Sequence, residues 1–167
     1  MKIRSLADCP RLAPVIAQWH FAEWGHLYPG GTVAGWLDHV RTRMNTDRIP
    51  MTMVALDDGE EPVGTAALTE RDMETRSELS PWLGGIYVVP AARGRGVASA
   101  LVRELIGRAA DLGVRDLYLY TNGAEGLYEK LGWKLLSREP YMGREVTVMT
   151  MPIDRLTSRI WTPRARG

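Results

Sequence analysis

The segment from Gly84 to Leu105, GGIYVVPAARGRGVASALVREL, constrains the fold more than any other part of the chain. An apolar, β-branched run ends at Pro90, and a helical pattern begins near Val97 after a turn that contains Gly94 and Gly96. A strand that leads into a helix through a glycine-rich turn leaves several backbone N–H groups unpaired at the positive end of the helix dipole. Such a turn is an anion site, and its usual ligand is phosphate.

Two classes of cofactor site use a turn of this kind. A dinucleotide-binding fingerprint, G-x-G-x-x-G/A, follows directly after a strand and is completed by an acidic residue at the end of the next strand. Here Ser99 stands at the third glycine position, and the next predicted strand ends at Thr121 without a carboxylate. The dinucleotide-binding interpretation is therefore weak.

The turn resembles instead the Q/R-x-x-G-x-G/A loop of the GNAT-type N-acetyltransferase superfamily, through Arg93, Gly96 and Ala98. A second landmark lies downstream, where residues 127–133 (LYEKLGW) resemble the L-Y-E-K-x-G-F/W segment of the same family. The two motifs occur in the family's order, and the resemblance covers roughly residues 50–152. It implies an acyltransferase that uses acetyl-CoA.

The hydrophobic periodicity predicts the element order β-αα-βββ-α-β-α-ββ, which is also the family's order. The expected fold is an α/β, GNAT-like fold in which a central mixed, mostly antiparallel sheet of about seven strands carries helices on both faces. The first helix is predicted to begin at Asp8 or Cys9, and residues 71–80 are predicted to be a polar loop. We expect one domain over residues 1–153, followed by a basic tail over residues 154–167.

The composition excludes several classes of function. A formal net charge of +1 gives no drive toward nucleic acid or an anionic membrane. The single cysteine, Cys9, suits a reducing compartment, and no apolar run approaches the length of a membrane span. Three scattered histidines and one cysteine give no spacing for metal ligands. We therefore expect a cytoplasmic protein without a metal; the oligomeric state stays open, a homodimer included.

The resemblance implies which residues hold coenzyme A. Its diphosphate is expected on the backbone amides of residues 95–99, and its pantetheine arm along Val88 and Val89, where the Val88 N–H would also meet the oxyanion. Tyr128 matches the family tyrosine that protonates the departing thiolate, and Asn122 resembles a position that binds the arm. The expected cofactor-binding residues are Val88, Val89, Arg93, Gly94, Arg95, Gly96, Val97, Ala98, Ser99, Asn122 and Tyr128.

The proton acceptor is the least determined part of the site. Family members often place a glutamate on the central strand, but residues 82–87 include no carboxylate. Glu70 and Asp72, near the end of the preceding strand, are the nearest carboxylates, and Glu78 and Tyr120 are weaker candidates. We take Glu70 as the hypothesis, so the predicted catalytic pair is Tyr128 with Glu70.

The acceptor amine is expected to bind among aromatic side chains. In the family, specificity comes from the connector between the first two helices and from the last hairpin. The expected substrate-binding residues are Trp24, His26, Tyr28, Trp82 and Tyr141. No nucleophile is placed to hold an acetyl group, so direct transfer to a primary amine in a ternary complex is expected. The amine can belong to a small molecule or to a peptide or protein; the alternative is a non-catalytic acyl-CoA-binding or sensor module with the same fold.

Overall fold

The computed structural model describes residues 1–153, so the predicted basic tail lies outside the described residues. The order of strands and helices is the predicted one. The strands are β1 (Lys2–Ser5), β2 (Met51–Leu56), β3 (Pro62–Thr69), β4 (Trp82–Val88), β5 (Asp116–Thr121), β6 (Lys134–Tyr141) and β7 (Arg144–Pro152). The helices are α1 (Ala13–Trp24), α2 (Val33–Arg41), α3 (Val97–Asp111) and α4 (Glu125–Lys130). Within residues 1–153, no helix is long and apolar enough to cross a bilayer.

The strands form one seven-stranded sheet in the order β1-β2-β3-β4-β5-β7-β6. Neighbouring strands are antiparallel except β4 and β5, which run parallel. These two strands share a single register pair, Trp82 with Tyr118, and separate beyond it. The sheet is therefore mixed and mostly antiparallel, as predicted, and it opens between the carboxyl ends of β4 and β5.

The helices cover both faces of the sheet, which also confirms the prediction. Successive side chains of a strand point to opposite faces. On β2, Met53 and Ala55 belong to the apolar cluster that packs beneath α3, whereas Val54 and Leu56 belong to the cluster that packs beneath α1 and α2. Burial on both sides explains why this strand reads as a continuous apolar run.

The first helix starts later than predicted. Two 3₁₀ turns, Leu6–Asp8 and Pro10–Leu12, precede α1, which begins at Ala13. Proline lacks a backbone N–H and fits only the first turn of a helix. Because Pro14 follows Pro10 by four residues, a regular helix can begin only at the second of these prolines.

β4 carries a bulge near its middle. Its register with β3 pairs Thr65 with Tyr87 but Ala67 with Gly84, so β4 holds one more residue than β3 across this interval. Gly85 absorbs the irregularity at a φ of +59°, a conformation that side chains with a Cβ seldom adopt. The bulge redirects the backbone of β4 beside the opening between β4 and β5.

Candidate active site

The amino end of α3 opens into a cleft of about 310 Å³. The helix begins at Val97, and no side chain caps it, because Gly96 stands at the N-cap position with a φ of +79°. The first-turn N–H groups therefore have no intrahelical partner and stand at the positive end of the helix dipole. The cleft is lined by Val88, Ala92, Arg93, Gly94, Gly96, Val97, Ala98, Ser99 and Leu127.

The approach to these amides is open. Gly94 has a φ of +72°, and a Cβ on either Gly94 or Gly96 would meet no atom within 4 Å. The two glycines are thus required by backbone conformation rather than by close packing. Arg93 and Arg95 are exposed on the same turn and add positive charge. Unpaired amides, positive charge and an open approach fit a diphosphate such as that of acetyl-CoA.

Of the two residues at the end of β4 that are predicted to bind the pantetheine arm, Val88 lines the cleft and Val89 does not. Val89 donates its N–H to the Val63 carbonyl at 3.0 Å and accepts from the Ala92 N–H at 2.9 Å. Backbone groups of successive residues in a strand point to opposite sides, so those of Val88 point away from β3 and toward the opening. Its carbonyl accepts a hydrogen bond from Arg93 Nε at 2.9 Å.

Tyr128 lies on α4 and is 6% exposed. Its ring packs edge-on against Trp133, with 6.2 Å between the ring centroids. Burial raises the pKa of its phenol to about 12, so the hydroxyl is protonated at neutral pH. Asn122 is exposed and donates from Nδ2 to the Glu145 carbonyl at 2.8 Å, which joins the segment after β5 to β7.

A carboxylate does lie on β4, although it comes from another segment. A Cβ on Gly84 would collide with the carboxylate of Asp72 and would be 3.2 Å from its Cγ. The Asp72 carboxylate therefore fills the position that a side chain at residue 84 would take. Burial raises the pKa of Asp72 to about 6, while the Arg43 charge acts in the opposite direction. Such a group is ionised at pH 7 and still accepts a proton readily.

The loop that carries Asp72 is tied down on both sides. Before it, the Thr69 hydroxyl donates to a carbonyl of the loop at 3.1 Å. After it, Met73 is 1% exposed and packs in an apolar cluster. Arg76 then forms a two-point ion pair with Glu139 on β6, at 2.6 and 2.9 Å. The predicted polar loop is thus an anchored segment that contains a 3₁₀ turn.

The candidates for the proton acceptor lie in different environments. Glu70 is exposed to solvent at the start of the loop. Glu78 pairs with Arg76 at 3.0 Å on the protein surface. The pKa of Tyr120 is raised, first by burial and then by the charge of Asp72, so its phenol stays protonated. Of these groups, Asp72 is the carboxyl that contacts the backbone of β4.

Two of the predicted substrate-binding residues lie around Asp72. The pKa of Tyr28 is raised by burial and by the neighbouring Tyr141 and Asp72. Tyr141 packs edge-on against Tyr120, with 5.3 Å between centroids, and Tyr28 packs edge-on against Trp36 at 5.7 Å. Tyr28, Tyr120 and Tyr141 thus lie near Asp72, beside Gly84, and we refer to these three side chains as the aromatic cup.

The other predicted substrate-binding residues take different positions. Trp82 is 0% exposed, and its indole N–H donates to the Leu79 carbonyl at 2.8 Å. It packs against Tyr120 of the cup, with 6.3 Å between the ring centroids, and presents no surface to a ligand. His26 is exposed in a 3₁₀ turn after α1. Trp24 is half-buried and packs against His20, with 5.1 Å between ring centroids.

Sequence reasoning missed two residues of this region, His20 and Arg43. His20 is 4% exposed, and burial together with the Arg43 charge lowers its pKa to about 4. Its Cε1 would lie 3.5 Å, and Arg43 Nη1 3.9 Å, from a Cβ on Gly85. The spacing of four residues between Ile16 and His20 places both on one face of α1, a signal that could have identified His20. No motif marks Arg43.

Within residues 1–153, no three His, Cys, Asp or Glu side chains are grouped closely enough to hold a metal ion.

Residues 14–133 match the model of the acetyltransferase (GNAT) family. No curated protein sequence matches the chain.

Solved structures share the fold at low sequence identity. An aminoglycoside 6'-N-acetyltransferase complexed with coenzyme A is 18% identical, with a TM-score of 0.73 over 99% of this chain and 100% of that one. A phosphinothricin acetyltransferase from Sinorhizobium meliloti in complex with AcCoA is 23% identical, with a TM-score of 0.69 over 91% and 88%. A spermidine/spermine N-acetyltransferase from Vibrio cholerae is 17% identical, with a TM-score of 0.70 over 95% and 98%.

Proposed function

Because the chain belongs to the acetyltransferase (GNAT) family, whose cofactor is acetyl-CoA, we propose that it transfers the acetyl group directly to a primary amine in a ternary complex. Acetyl-CoA supplies, when bound, an acetyl thioester with a thiolate leaving group. The observation that carries the proposal is the position of Asp72, whose carboxylate lies on the backbone of Gly84. This point is on β4 beside the opening between β4 and β5, and the same strand leads to the anion site at α3.

The amides at the start of α3 bind the diphosphate in this proposal. The N–H and carbonyl of Val88 face the opening and are the backbone groups available to an extended arm that lies there. Arg93 donates to this carbonyl at 2.9 Å and would have to exchange that contact when the arm binds. The Val88 N–H is then the donor for negative charge that develops on the acetyl oxygen.

In this mechanism Asp72 acts as the proton acceptor and Tyr128 as the proton donor. A primary ammonium must lose one proton before its nitrogen can attack, and a second proton once the C–N bond has formed. Asp72 accepts the first of these protons and passes it to solvent. Tyr128 donates a proton to the sulfur as the C–S bond breaks, and the second nitrogen proton balances that donation. A phenol with a pKa of about 12 remains protonated in readiness for this step.

A covalent acetyl-enzyme through the single cysteine is disfavoured by the position of that thiol. Cys9 is buried, and its Sγ donates to the Ser5 carbonyl at 3.2 Å. Burial and the neighbouring Asp8 raise its pKa, which lowers its thiolate fraction. It packs in the cluster beneath α1 and α2. Direct transfer needs no such nucleophile.

Release of free thiol from acetyl-CoA, measured against a panel of primary amines, tests this function. We expect turnover that depends on both acetyl-CoA and amine, without a burst of thiol in the absence of amine. Tight binding of coenzyme A with no turnover on any amine would support a non-catalytic acyl-CoA-binding module instead. A burst of thiol before amine is added would contradict direct transfer.

A further inference from the structure

Charges of opposite sign stand on either side of the glycine pair in β4. The Asp72 carboxylate lies against Gly84, and Arg43 Nη1 lies 3.9 Å from the position of a Cβ on Gly85. Each charge shifts the pKa of the other group, so the two are close. Among the described residues, however, no Arg43 nitrogen comes within 4.0 Å of an Asp72 oxygen. The two charged groups therefore form no direct ion pair.

Arg43 is poorly neutralised where it lies. Its Nη2 contacts Nε2 of His39, whose pKa is lowered by burial and by the Arg43 charge. The pKa of His20, on the other side, is lowered to about 4, so this imidazole is neutral at pH 7. Burial also lowers the pKa of Arg43 itself. A half-buried guanidinium among neutral imidazoles is stabilised by an added anion that it can hold by charge-assisted hydrogen bonds.

Binding of an amine at Asp72 leaves the charge of Arg43 still less neutralised. An ammonium group bound at Asp72 pairs with the carboxylate that otherwise offsets the Arg43 charge. An acceptor that brings its own anion restores the balance, whereas a second positive charge would meet Arg43 directly. Near the tyrosines of the cup, Glu74 and Arg144 are exposed and carry charges of opposite sign.

We propose that the acceptor is a small amine that also carries a carboxylate, as in an amino acid, and that Arg43 binds this carboxylate while Asp72 takes the amine proton. The inference rests on the proposed acetyl transfer and names the acceptor class for the same site. The aromatic cup then encloses the rest of the acceptor. Polyamines and aminoglycosides, which carry several positive charges and no carboxylate, are poor substrates.

Matched pairs of acceptors test the substrate class. Each of the common L-amino acids is compared with its amide, which keeps the amine and replaces the carboxylate by a neutral group; spermidine and kanamycin are added as polycations. We expect at least one amino acid to be acetylated with a kcat/KM more than tenfold above that of its amide and of both polycations. Amides that equal or exceed their amino acids, turnover confined to the polycations, or turnover of no amino acid overturns the inference.

Substitution at residue 43 tests the assignment of the carboxylate site. In Arg43→Gln we expect the KM of the preferred amino acid to rise roughly ten- to hundredfold, with a much smaller fall in kcat/KM for the amide, which loses only the effect of the Arg43 charge on the pKa of Asp72. Part of the affinity for the amino acid should be restored in Arg43→Lys. Arg41→Gln is the control, since Arg41 is exposed on α2 and pairs with Asp38 at 3.5 Å. Equal losses on amino acid and amide would show that Arg43 is only structural. Turnover of the amide would still support acetyl transfer, so the two proposals fail separately.

Discussion

Replacement of Asp72 by asparagine should remove the proton acceptor while leaving the packing around Gly84 nearly unchanged. General acid–base groups contribute about 10²- to 10⁴-fold to rate, and we expect kcat/KM at pH 7.5 to fall by this order in Asp72→Asn. Glu70→Gln is the matched control, because Glu70 is two residues away, carries the same charge and is exposed. Its kcat/KM should stay within about twofold of the wild type, since a solvated side chain contributes little to the site.

The pH dependence gives a second, sharper expectation. With a pKa of about 6, Asp72 is about nine-tenths ionised at pH 7 and about one-tenth ionised at pH 5. Because Asp72 takes the proton from the ammonium itself, protonation of the amine does not lower kcat/KM in the wild type or in Glu70→Gln, and kcat/KM there falls about tenfold between pH 7 and pH 5 as Asp72 loses its charge. In Asp72→Asn only amine that is already neutral can react, so kcat/KM should fall about tenfold per pH unit throughout the range below the amine pKa, with no steepening near pH 6.

Stability measurements separate a chemical effect from misfolding. The folded-state pKa of Asp72, about 6, lies above its ordinary value of 3.8, so the folded protein binds more protons than the unfolded chain between these values. This residue therefore makes the free energy of unfolding fall as pH rises from about 4 to 6, by at most about 3 kcal/mol and by less because it is only half-buried. Asp72→Asn should be at least as stable as the wild type at pH 7.

The assay is thiol release at saturating acetyl-CoA with varied amine, from pH 5 to 9, together with chemical denaturation at pH 7. The reasoning is refuted if Asp72→Asn retains wild-type kcat/KM and its steepening below pH 6. It is equally refuted if Glu70→Gln, rather than Asp72→Asn, loses activity and that steepening.

Three further substitutions test separate parts of the account. Tyr128→Phe should keep the packing against Trp133 and so the stability, but lower kcat about ten- to hundredfold with little change in KM; unchanged single-turnover thiol release would exclude Tyr128 as the proton donor. Gly84→Ala places a Cβ against the Asp72 carboxylate and should lower kcat/KM by displacing it, whereas unaltered activity would show that its position does not matter. The pKa of His20 is lowered from 6.5 to about 4, so the free energy of unfolding falls as pH drops below 6.5, by up to about 3 kcal/mol. In chemical denaturation, His20→Phe should lose this fall in stability between pH 7 and pH 5. The same fall in the variant as in the wild type would contradict the neutral, buried state of the imidazole.

The parts of the candidate site that the sequence could indicate are those built from neighbouring residues. The turn that ends in Gly96 and the helix that starts at Val97 are continuous in sequence, so the pattern of glycines and apolar positions is enough to indicate an anion site. The same holds for α4 and Tyr128. The element order followed from hydrophobic periodicity, and the burial of β2 on both faces explains why its strand was recognisable.

The acceptor side could not be predicted in the same way, because it is assembled from separate segments. Asp72 meets residue 84 where β4 bulges, and its loop is anchored by the ion pair of Arg76 with Glu139. A carboxylate at the end of one strand gives no indication of the strand on which it will rest. Burial is equally hard to read from the sequence. Trp82 was predicted to contact the substrate because it lies beside the central strand, but its side chain is completely buried.

The central claim is that the backbone amides at the start of α3 hold coenzyme A, and calorimetry of coenzyme A with two glycine variants tests it most directly. Gly96→Ala and Gly113→Ala alter opposite ends of α3, both at positive φ (+79° and +74°) and both with no atom within 4 Å of the added Cβ. Each should therefore cost a similar 1–2 kcal/mol or so of stability. We predict that the wild type and Gly113→Ala bind coenzyme A alike, whereas Gly96→Ala binds it at least tenfold more weakly. No heat of binding with the wild type, or equal weakening in both variants, would contradict the account.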